Sequence, residues 1–263
     1  MDYVNKHENY AFWKARINNT KTKVCSNDEN LSLLESEQII KRITQGSSVL
    51  EVGCGNGLLF EELNTQLRNI EYVGTDFVSE LVDLCQKTYT EPNAKFLQLD
   101  MTDIKSNSFD QKFDYIISKR AIQNVLDARL QVQTIDQLGS LLKDGGKLIL
   151  VESSQTSLNN LNEERKTYGL PEISAPFHNL FFEDEDIINY KFSNVRLEEI
   201  DPFASNFYFI TRIIYRRLCD EYLNEEPNYD HPLNKIAVSS PGNLLNKDMS
   251  QVKTWIFEKL KSH

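Results

Sequence analysis

The chain has 263 residues, of which 40% are hydrophobic and 26% charged, and a formal net charge of −10 at pH 7. This composition is typical of a globular protein with a sizeable core and excludes a largely disordered, collagen-like or coiled-coil chain. The acidic balance argues against a nucleic-acid partner, because phosphate-backbone binding needs a basic surface.

The four cysteines and four histidines are scattered without metal-ligand spacing, so we expect no metal site and no disulfide framework. Free thiols favour a reducing compartment. The first residues lack the apolar run of a signal peptide, and the most apolar later stretch, 207–215, is too short to span a bilayer. These observations predict a cytoplasmic protein without a membrane partner.

Helices and strands alternate across residues 47–153. Apolar residues at helical spacing predict helices, and short apolar runs rich in β-branched residues predict buried strands. The predicted elements are, in chain order, helix 31–45, strand 48–53, helix 58–68, strand 71–76, helix 79–89, strand 95–100, strand 113–118, helix 121–142 and strand 147–153. This order predicts a doubly wound, parallel α/β sheet, whose ligands bind at the carboxyl ends of the strands.

The pattern changes after residue 153. A polar helix and a proline-containing loop come first, then a strand over 194–200 and either a strand or a helix over 207–215. A final helix near 250–260 is expected to bury Val252, Trp255 and Ile256. No linker is evident, so we expect one domain over 1–263. Its expected parts are a helical lid (1–46), a cofactor-binding core (47–153), a substrate cover (154–186) and C-terminal strands with a tail (187–263).

Three of the ten glycines, Gly53, Gly55 and Gly57, fall within five positions directly after a predicted strand. Glycine allows a tight strand-to-helix turn and a close approach of backbone to a ligand. A dinucleotide site needs GxGxxG, but its third glycine position holds Leu58 or Phe60. The P-loop spacing also fails, so neither of these two nucleotide sites is expected.

The segment VLEVGCGNG, residues 49–57, resembles motif I of the class I S-adenosylmethionine-dependent methyltransferases. The resemblance continues in order through EYVGTD, LQLDMTD, FDYIIS with KRAIQNV, and LLKDGGKLILVES, where Asp144 stands at a position usually held by proline. It implies a Rossmann-like, mainly parallel seven-stranded sheet with helices on both faces. The implied cofactor is S-adenosyl-L-methionine, with S-adenosyl-L-homocysteine as product and no metal.

The resemblance also assigns cofactor contacts. Asp76 would accept both ribose hydroxyls, and Asp100 and Met101 would flank the adenine. The full set implied for the cofactor is Glu51, Gly53, Cys54, Gly55, Asn56, Gly57, Asp76, Phe77, Asp100, Met101 and Ser118. Taken alone, Asp76 at a strand end could equally cap the following helix.

The acceptor is less defined. Enzymes that methylate nucleic-acid bases typically carry [DN]-P-P-[YFW] after the fourth strand, where this chain has Ser118, Lys119, Arg120 and Ala121. The cover segment resembles bacterial methyltransferases of surface-polysaccharide or small-metabolite biosynthesis. That resemblance rests on Asn162 with Arg165, on GLPEI over 169–173, and on His178 with Asn179, and it extends to 12–16 and 207–212.

Cationic side chains near the expected methyl position favour a small anionic, sugar or phosphate-bearing acceptor, since arginine suits carboxylates and phosphates. The predicted substrate-binding residues are Lys119, Arg120, Asn124, Asn162, Arg165, His178, Asn179, Tyr208 and Arg212; the predicted catalytic residues are His178, Glu152 and Arg120. O-methylation is favoured, with His178 as the base because imidazole titrates near neutrality. N-methylation, a protein or tRNA acceptor, and a non-catalytic cofactor-binding module stay as alternatives.

Overall fold

The computed structural model describes residues 3–18, 24–240, 242–243 and 245–261. Seven strands form one sheet: β1 (Ser48–Val52), β2 (Glu71–Asp76), β3 (Ala94–Gln98), β4 (Phe113–Lys119), β5 (Leu142–Ser153), β6 (Val195–Asp201) and β7 (Val252–Lys259). Their order is β3-β2-β1-β4-β5-β7-β6, and only the β5–β7 and β7–β6 pairs are antiparallel. The predicted seven-stranded, mainly parallel sheet is confirmed.

Helices cover both faces of this sheet. They are α1 (Tyr3–Ala15), α2 (Glu29–Ile40), α3 (Leu58–Gln66), α4 (Ser79–Thr88), α5 (Ala128–Gly139), α6 (Gln155–Thr167), α7 (Asp184–Asn189), α8 (Ser205–Tyr208), α9 (Tyr215–Leu218) and α10 (Pro232–Val238). Successive residues of β4 belong to different apolar layers: Ile117 packs in the layer that contains α2 and α3, and Ile116 in the layer that contains α5. Burial on both faces explains why the central strands are continuous apolar runs.

Residues 205–223 form one continuous helical segment. Its α-helical parts, α8 and α9, alternate with π-helical parts at Phe209–Ile214 and Cys219–Leu223. Because π-helical turns frequently occur at functional sites, this segment is a candidate wall of a binding site. None of the described helices is long and apolar enough to cross a membrane.

Two predicted helices differ from the structure. The helix near 250–260 is wrong: the segment is β7, which lies between β5 and β6 with Trp255 fully buried. A strand covered on both faces has no alternation, so three apolar residues at helical spacing gave a false helical signal. The helix at 121–142 begins only at Ala128, because the Asp127 carboxylate caps α5 through the Arg129 and Leu130 N–H groups.

Candidate active site

A cavity of about 480 Å³ lies at the carboxyl ends of β1, β2 and β4, on the sheet edge that the strand order predicts. The glycine-rich turn after β1 forms one wall. Residues of α1, the loop 173–181 and the helical segment 205–223 form the opposite wall. The cavity therefore joins the cofactor half of the sequence to the residues predicted for the acceptor.

Backbone hydrogen bonds fix the glycine turn. The N–H groups of Gly53 and Cys54 donate to the Thr75 carbonyl at 2.7 and 2.9 Å. Gly53 and Gly55 have φ of +71° and +56°, and a Cβ at Gly53 would lie 2.2 Å from Ala121 Cβ. The turn accordingly needs glycine at these positions. Gly57 lies outside the cavity wall and begins α3 with φ of +77°.

Three carboxylates line the cofactor end of the cavity: Glu51, Asp76 and Asp100. Asp76 accepts hydrogen bonds from the N–H groups of Gly55 and Val78, both at 2.9 Å. Burial raises the pKa of Asp76, and these backbone donors oppose the rise. Burial also raises the pKa of Glu51 to about 7, although the Tyr72 hydroxyl donates to it.

The cofactor end has the chemistry that S-adenosylmethionine requires. Carboxylate oxygens of Glu51, Asp76 and Asp100 are acceptors for an ammonium group, a ribose diol and an exocyclic amine. Phe77 and Met101 supply apolar surface in the same wall. The residues present therefore fit the cofactor that the sequence resemblance implies.

Arg120 also lines the cavity, and it has the left-handed φ of +54°. Its Nε lies 3.2 Å from the carboxylate of Glu35, which is fully buried in α2. The Lys119 ammonium donates to Ser32 and Ser36 of the same helix. Lys119 is thus held by α2, whereas Arg120 combines a counter-ion with a position in the cavity wall.

Arg212 comes from the first π-helical turn and forms an ion pair with Asp28, the residue that caps α2. Its guanidinium lies over the rings of Tyr208 and Tyr229, at 5.7 and 5.3 Å from the ring centroids. Arg212, Tyr208 and Tyr229 all line the cavity. Their aromatic and cationic surfaces give the cavity a second group suited to an anion.

His178 forms part of the wall opposite the sheet. Its ring stacks on Phe12 of α1, with centroids 4.0 Å apart, and its buried Nδ1 has no hydrogen-bond partner among the described residues. Burial, followed by the charge of Arg16, lowers the pKa of His178 below its ordinary 6.5. A neutral imidazole facing a cavity can accept a proton.

Asn9 links α1 to the rest of this wall. Its Nδ2 donates to the carbonyls of Asn124 and His178, and the Trp13 indole donates to Asn124 Oδ1. Asn124 and Asn179, both predicted to bind substrate, line the cavity beside Asn9. These contacts join α1 to the cavity wall, and the lid expected over 1–46 stays a prediction.

Glu152, predicted as a catalytic residue, is not among the residues that line the cavity. Its carboxylate is fully buried and accepts from Ser118 Oγ at 2.6 Å and from the N–H groups of 121–123. Burial raises the pKa of Glu152 to about 7. Glu152 and Ser118 therefore shape the turn that carries Arg120.

Asn162 and Arg165, predicted to bind substrate, lie outside the main cavity, and Arg165 lines a smaller neighbouring one. Asn162 exchanges two hydrogen bonds with the backbone of Ile173, and Arg165 donates to the Pro171 carbonyl. They hold the cover loop in shape, and Ile173 of that loop lines the cavity.

Several cavity residues had no local signature. Asn9 and Tyr229 lie in polar segments, and Asp28 resembles an ordinary helix cap. Glu35, which supports the site, could have been found from the sequence. It shares a helical face with Leu31 and Leu34, and a carboxylate buried on such a face needs a cationic partner.

The sheet order and the cavity at its carboxyl edge define a Rossmann-like methyltransferase fold. The model of the methyltransferase domain family matches residues 43–192, more than half of the chain. The chain therefore belongs to this family, of the class I S-adenosylmethionine-dependent type.

The chain spans about half the length of the curated relatives that it matches first. One is the malonyl-acyl-carrier-protein O-methyltransferase of Paenibacillus sp. strain JDR-2, 28% identical over 121 residues, which are 43% of each chain. Among solved structures, a Haloferax volcanii methyltransferase in complex with the Trm112 activator is 14% identical with a TM-score of 0.62, covering 97% of this chain and 98% of that one.

Phosphoethanolamine N-methyltransferase 1 of Haemonchus contortus, solved with phosphoethanolamine and S-adenosylhomocysteine, is 13% identical with a TM-score of 0.61. The match covers 100% of this chain and 50% of that one. At this identity both structural likenesses show a shared fold.

Proposed function

We propose that the protein transfers the methyl group of S-adenosylmethionine to a small polar acceptor that carries an anionic or sugar-phosphate group. The observation that carries this proposal is the single cavity shared by Glu51, Asp76 and Asp100 with Arg120 and Arg212. The carboxylates offer hydrogen-bond acceptors to the donor groups of the cofactor. The two arginines offer cations to an anionic methyl acceptor.

The cofactor supplies an electrophilic methyl carbon on a sulfonium, a very good leaving group. The chain therefore has to position the acceptor and exclude water, which can supply much of the rate enhancement. Arg120 and Arg212 bind and orient the anionic group, while α1 and the cover loop close the opposite wall. The imidazole of His178, which lines the cavity, would take the proton that the attacking hydroxyl loses.

A hydroxyl acceptor is favoured because His178 lies in the wall with an unpartnered nitrogen and a lowered pKa. The motif with Asn162, Arg165 and His178 supports a role in surface-polysaccharide or small-metabolite synthesis in the cytoplasm. An amine acceptor is the second candidate. It is supported by the fold likeness to a phosphoethanolamine N-methyltransferase, which binds a small phosphate-bearing amine.

Cofactor binding is tested with an Asp76→Ala variant. We expect its affinity for S-adenosylhomocysteine to fall about tenfold to a hundredfold, because the change removes a charged acceptor and releases the Gly55 N–H group. Isothermal titration measures the affinity. The control is Asp83→Ala on the exposed side of α4, which should bind as tightly as wild type. Equal affinity of the Asp76 variant and wild type would remove the ribose assignment.

The acceptor class is tested by a methyl-transfer screen with labelled S-adenosylmethionine. The panel contains free sugars, sugar phosphates, hydroxy acids and small phosphorylated amines, with a tRNA pool and a protein lysate as macromolecular arms. We expect label in an anionic small molecule and weaker labelling in an Arg120→Gln variant. Label confined to neutral compounds or to a macromolecule contradicts the proposed acceptor, and no binding of S-adenosylmethionine contradicts the enzyme assignment.

A further inference from the structure

A second cavity of about 200 Å³ adjoins the main cavity, and we call it the side cavity. Ile173, Arg212 and Tyr229 line both cavities, so the side cavity is continuous with the wall that contains Arg212. Its polar walls come from the helical segments and the loop before α10: Arg165, Thr211, Arg212, Arg216, Asn228 and Asn234. It has room for several water-sized groups.

The walls of the side cavity are cationic. They include three arginines, and no described wall residue is a carboxylate. Arg212 and Arg216 each form ion pairs with carboxylates outside the cavity. Arg165 differs from both, because no described ion pair joins it to a carboxylate.

Arg165 is 5% exposed, and its described hydrogen bonds go to two neutral carbonyls, those of Pro171 and Arg212. No ion pair joins it to a carboxylate in the described part of the chain. Burial, followed by the charges of Arg216 and Arg212, lowers the pKa of Arg165, and the carboxylate of Asp220 opposes this shift. A buried cation without a counter-ion is costly, and an anion in the side cavity would relieve that cost.

Asn234 supplies an independent observation. It is 1% exposed, and its Nδ2 donates to the Asn228 carbonyl at 2.7 Å. Its Oδ1 receives no hydrogen bond from the described residues. Buried acceptors are normally satisfied, so this atom indicates a ligand that carries a donor as well as a negative charge. A phosphate group with its own P–OH, or a carboxylate beside a hydroxyl, has both.

We propose that the side cavity is an anion-binding subsite for the far end of the methyl acceptor. Arg165 binds the anionic group there, and Asn234 Oδ1 accepts a hydrogen bond from the donor of that group. The inference rests on the proposed function, because it takes the main cavity as the place where the acceptor is methylated. The methyl acceptor is then an extended molecule whose phosphate or carboxylate lies in the side cavity, beyond Tyr229. The subsite selects acceptors by that distal charge.

The test is titration of the full chain with inorganic phosphate at low salt. An Arg165→Gln variant should bind phosphate about tenfold more weakly, through loss of one charge-assisted contact. Asn228→Asp is a second variant that leaves Arg165 in place. Asn228 is exposed, and its Oδ1 accepts from the Asp230 N–H group, which an aspartate can still do. The added negative charge at the rim should weaken phosphate binding about threefold.

The matched control is Arg217→Gln, which removes one cation from the same helical segment but outside the side cavity, where Arg217 pairs with Glu221. It should bind phosphate like wild type. An Arg120→Gln variant reports phosphate in the main cavity. If Arg120→Gln abolishes binding while the Arg165 and Asn228 variants bind like wild type, the side cavity is not an anion subsite.

The source of the anion is tested with pairs of acceptors that differ only by a distal phosphate. We expect the phosphorylated member to have the lower KM in wild type and no such advantage in Arg165→Gln. Activation of the unphosphorylated member by free phosphate would instead make the anion an effector and overturn the proposal. Binding of S-adenosylhomocysteine is measured in every variant, so that failure of the subsite is distinguished from failure of the methyltransferase assignment.

Discussion

Replacing His178 with glutamine is expected to slow methyl transfer to a hydroxyl acceptor about a hundredfold at pH 7, through loss of a general base. Glutamine keeps a polar side chain but cannot take the proton. The carboxylates predicted to bind the cofactor, Glu51, Asp76 and Asp100, are unchanged in this variant, so S-adenosylhomocysteine should bind as in wild type. This variant is therefore expected to lose turnover and to keep its affinity for S-adenosylhomocysteine.

The pH dependence distinguishes a base from a structural ring. Burial and Arg16 lower the pKa of His178, so the neutral, active form predominates at pH 7. In wild type, kcat/KM should fall as pH decreases through a value below 6.5 and should be level above it, because the free enzyme must carry a neutral base. The glutamine variant should lack this acidic limb. The pKa itself is measured from the imidazole proton shifts by NMR titration.

The control for His178 is His231→Asn. His231 also stacks on an aromatic ring, that of Tyr215, but it lies outside both cavities and caps α10 through the Leu233 N–H group. Asparagine retains a capping acceptor. This variant should keep full turnover and the acidic limb. Full turnover of the His178 variant, or an acidic limb that persists in it, excludes His178 as the base and favours an amine acceptor.

The cofactor half could be predicted from the sequence because its determinants are local. Strand β2 was predicted at 71–76 and is Glu71–Asp76, since an apolar run bounded by turn residues marks it. The glycines after β1 likewise act through their own dihedral angles, and the sequence spacing places Asp76 beside them. Such features need no knowledge of distant packing.

β7 could not be predicted because its neighbours are distant in sequence. Trp255 pairs with Leu150 on one side and Ile200 on the other. Thr254, Trp255, Ile256 and Phe257 are all buried, so the strand lacks the alternation that marks a half-exposed sheet. The decisive information is the gap between β5 and β6, which exists only in the assembled sheet.

The acceptor half shows the same limit at single residues. Arginines and a histidine were identified by type, and Arg120, Arg212 and His178 do line the cavity. Their partners depend on packing: Asp28 caps a helix locally and also binds Arg212, 184 positions further along the chain. For Glu152 the residue type allowed a catalytic role, but four donors around its carboxylate turn it into a structural group.

Lys253→Met is expected to lower the free energy of unfolding by about 3–5 kcal/mol, the usual cost of breaking a buried ion pair. The Lys253 ammonium is 2.5 Å from Asp184 and 2.6 Å from Asp248, and the residue is only 3% exposed. Methionine keeps much of the apolar stem but leaves two carboxylates without their cation. Urea unfolding followed by circular dichroism measures the change.

The ion pairs around Lys253 also hold the predicted substrate cover, 154–186, in place. The loss of Lys253 is therefore expected to affect function as well as stability. Asp184 also accepts from Ser154 Oγ, beside the bridge that joins Ser154 to Phe182 at the end of the cover loop. The exposed Lys147→Met on β5 is the control and should change stability by less than about 0.5 kcal/mol. Adding Asp184→Asn to Lys253→Met removes one unpaired charge and should recover part of the loss. Two outcomes would show that the loss of stability does not come from a buried charge without its partner. In one, the double variant recovers none of the lost free energy of unfolding. In the other, Lys147→Met is as destabilising as Lys253→Met.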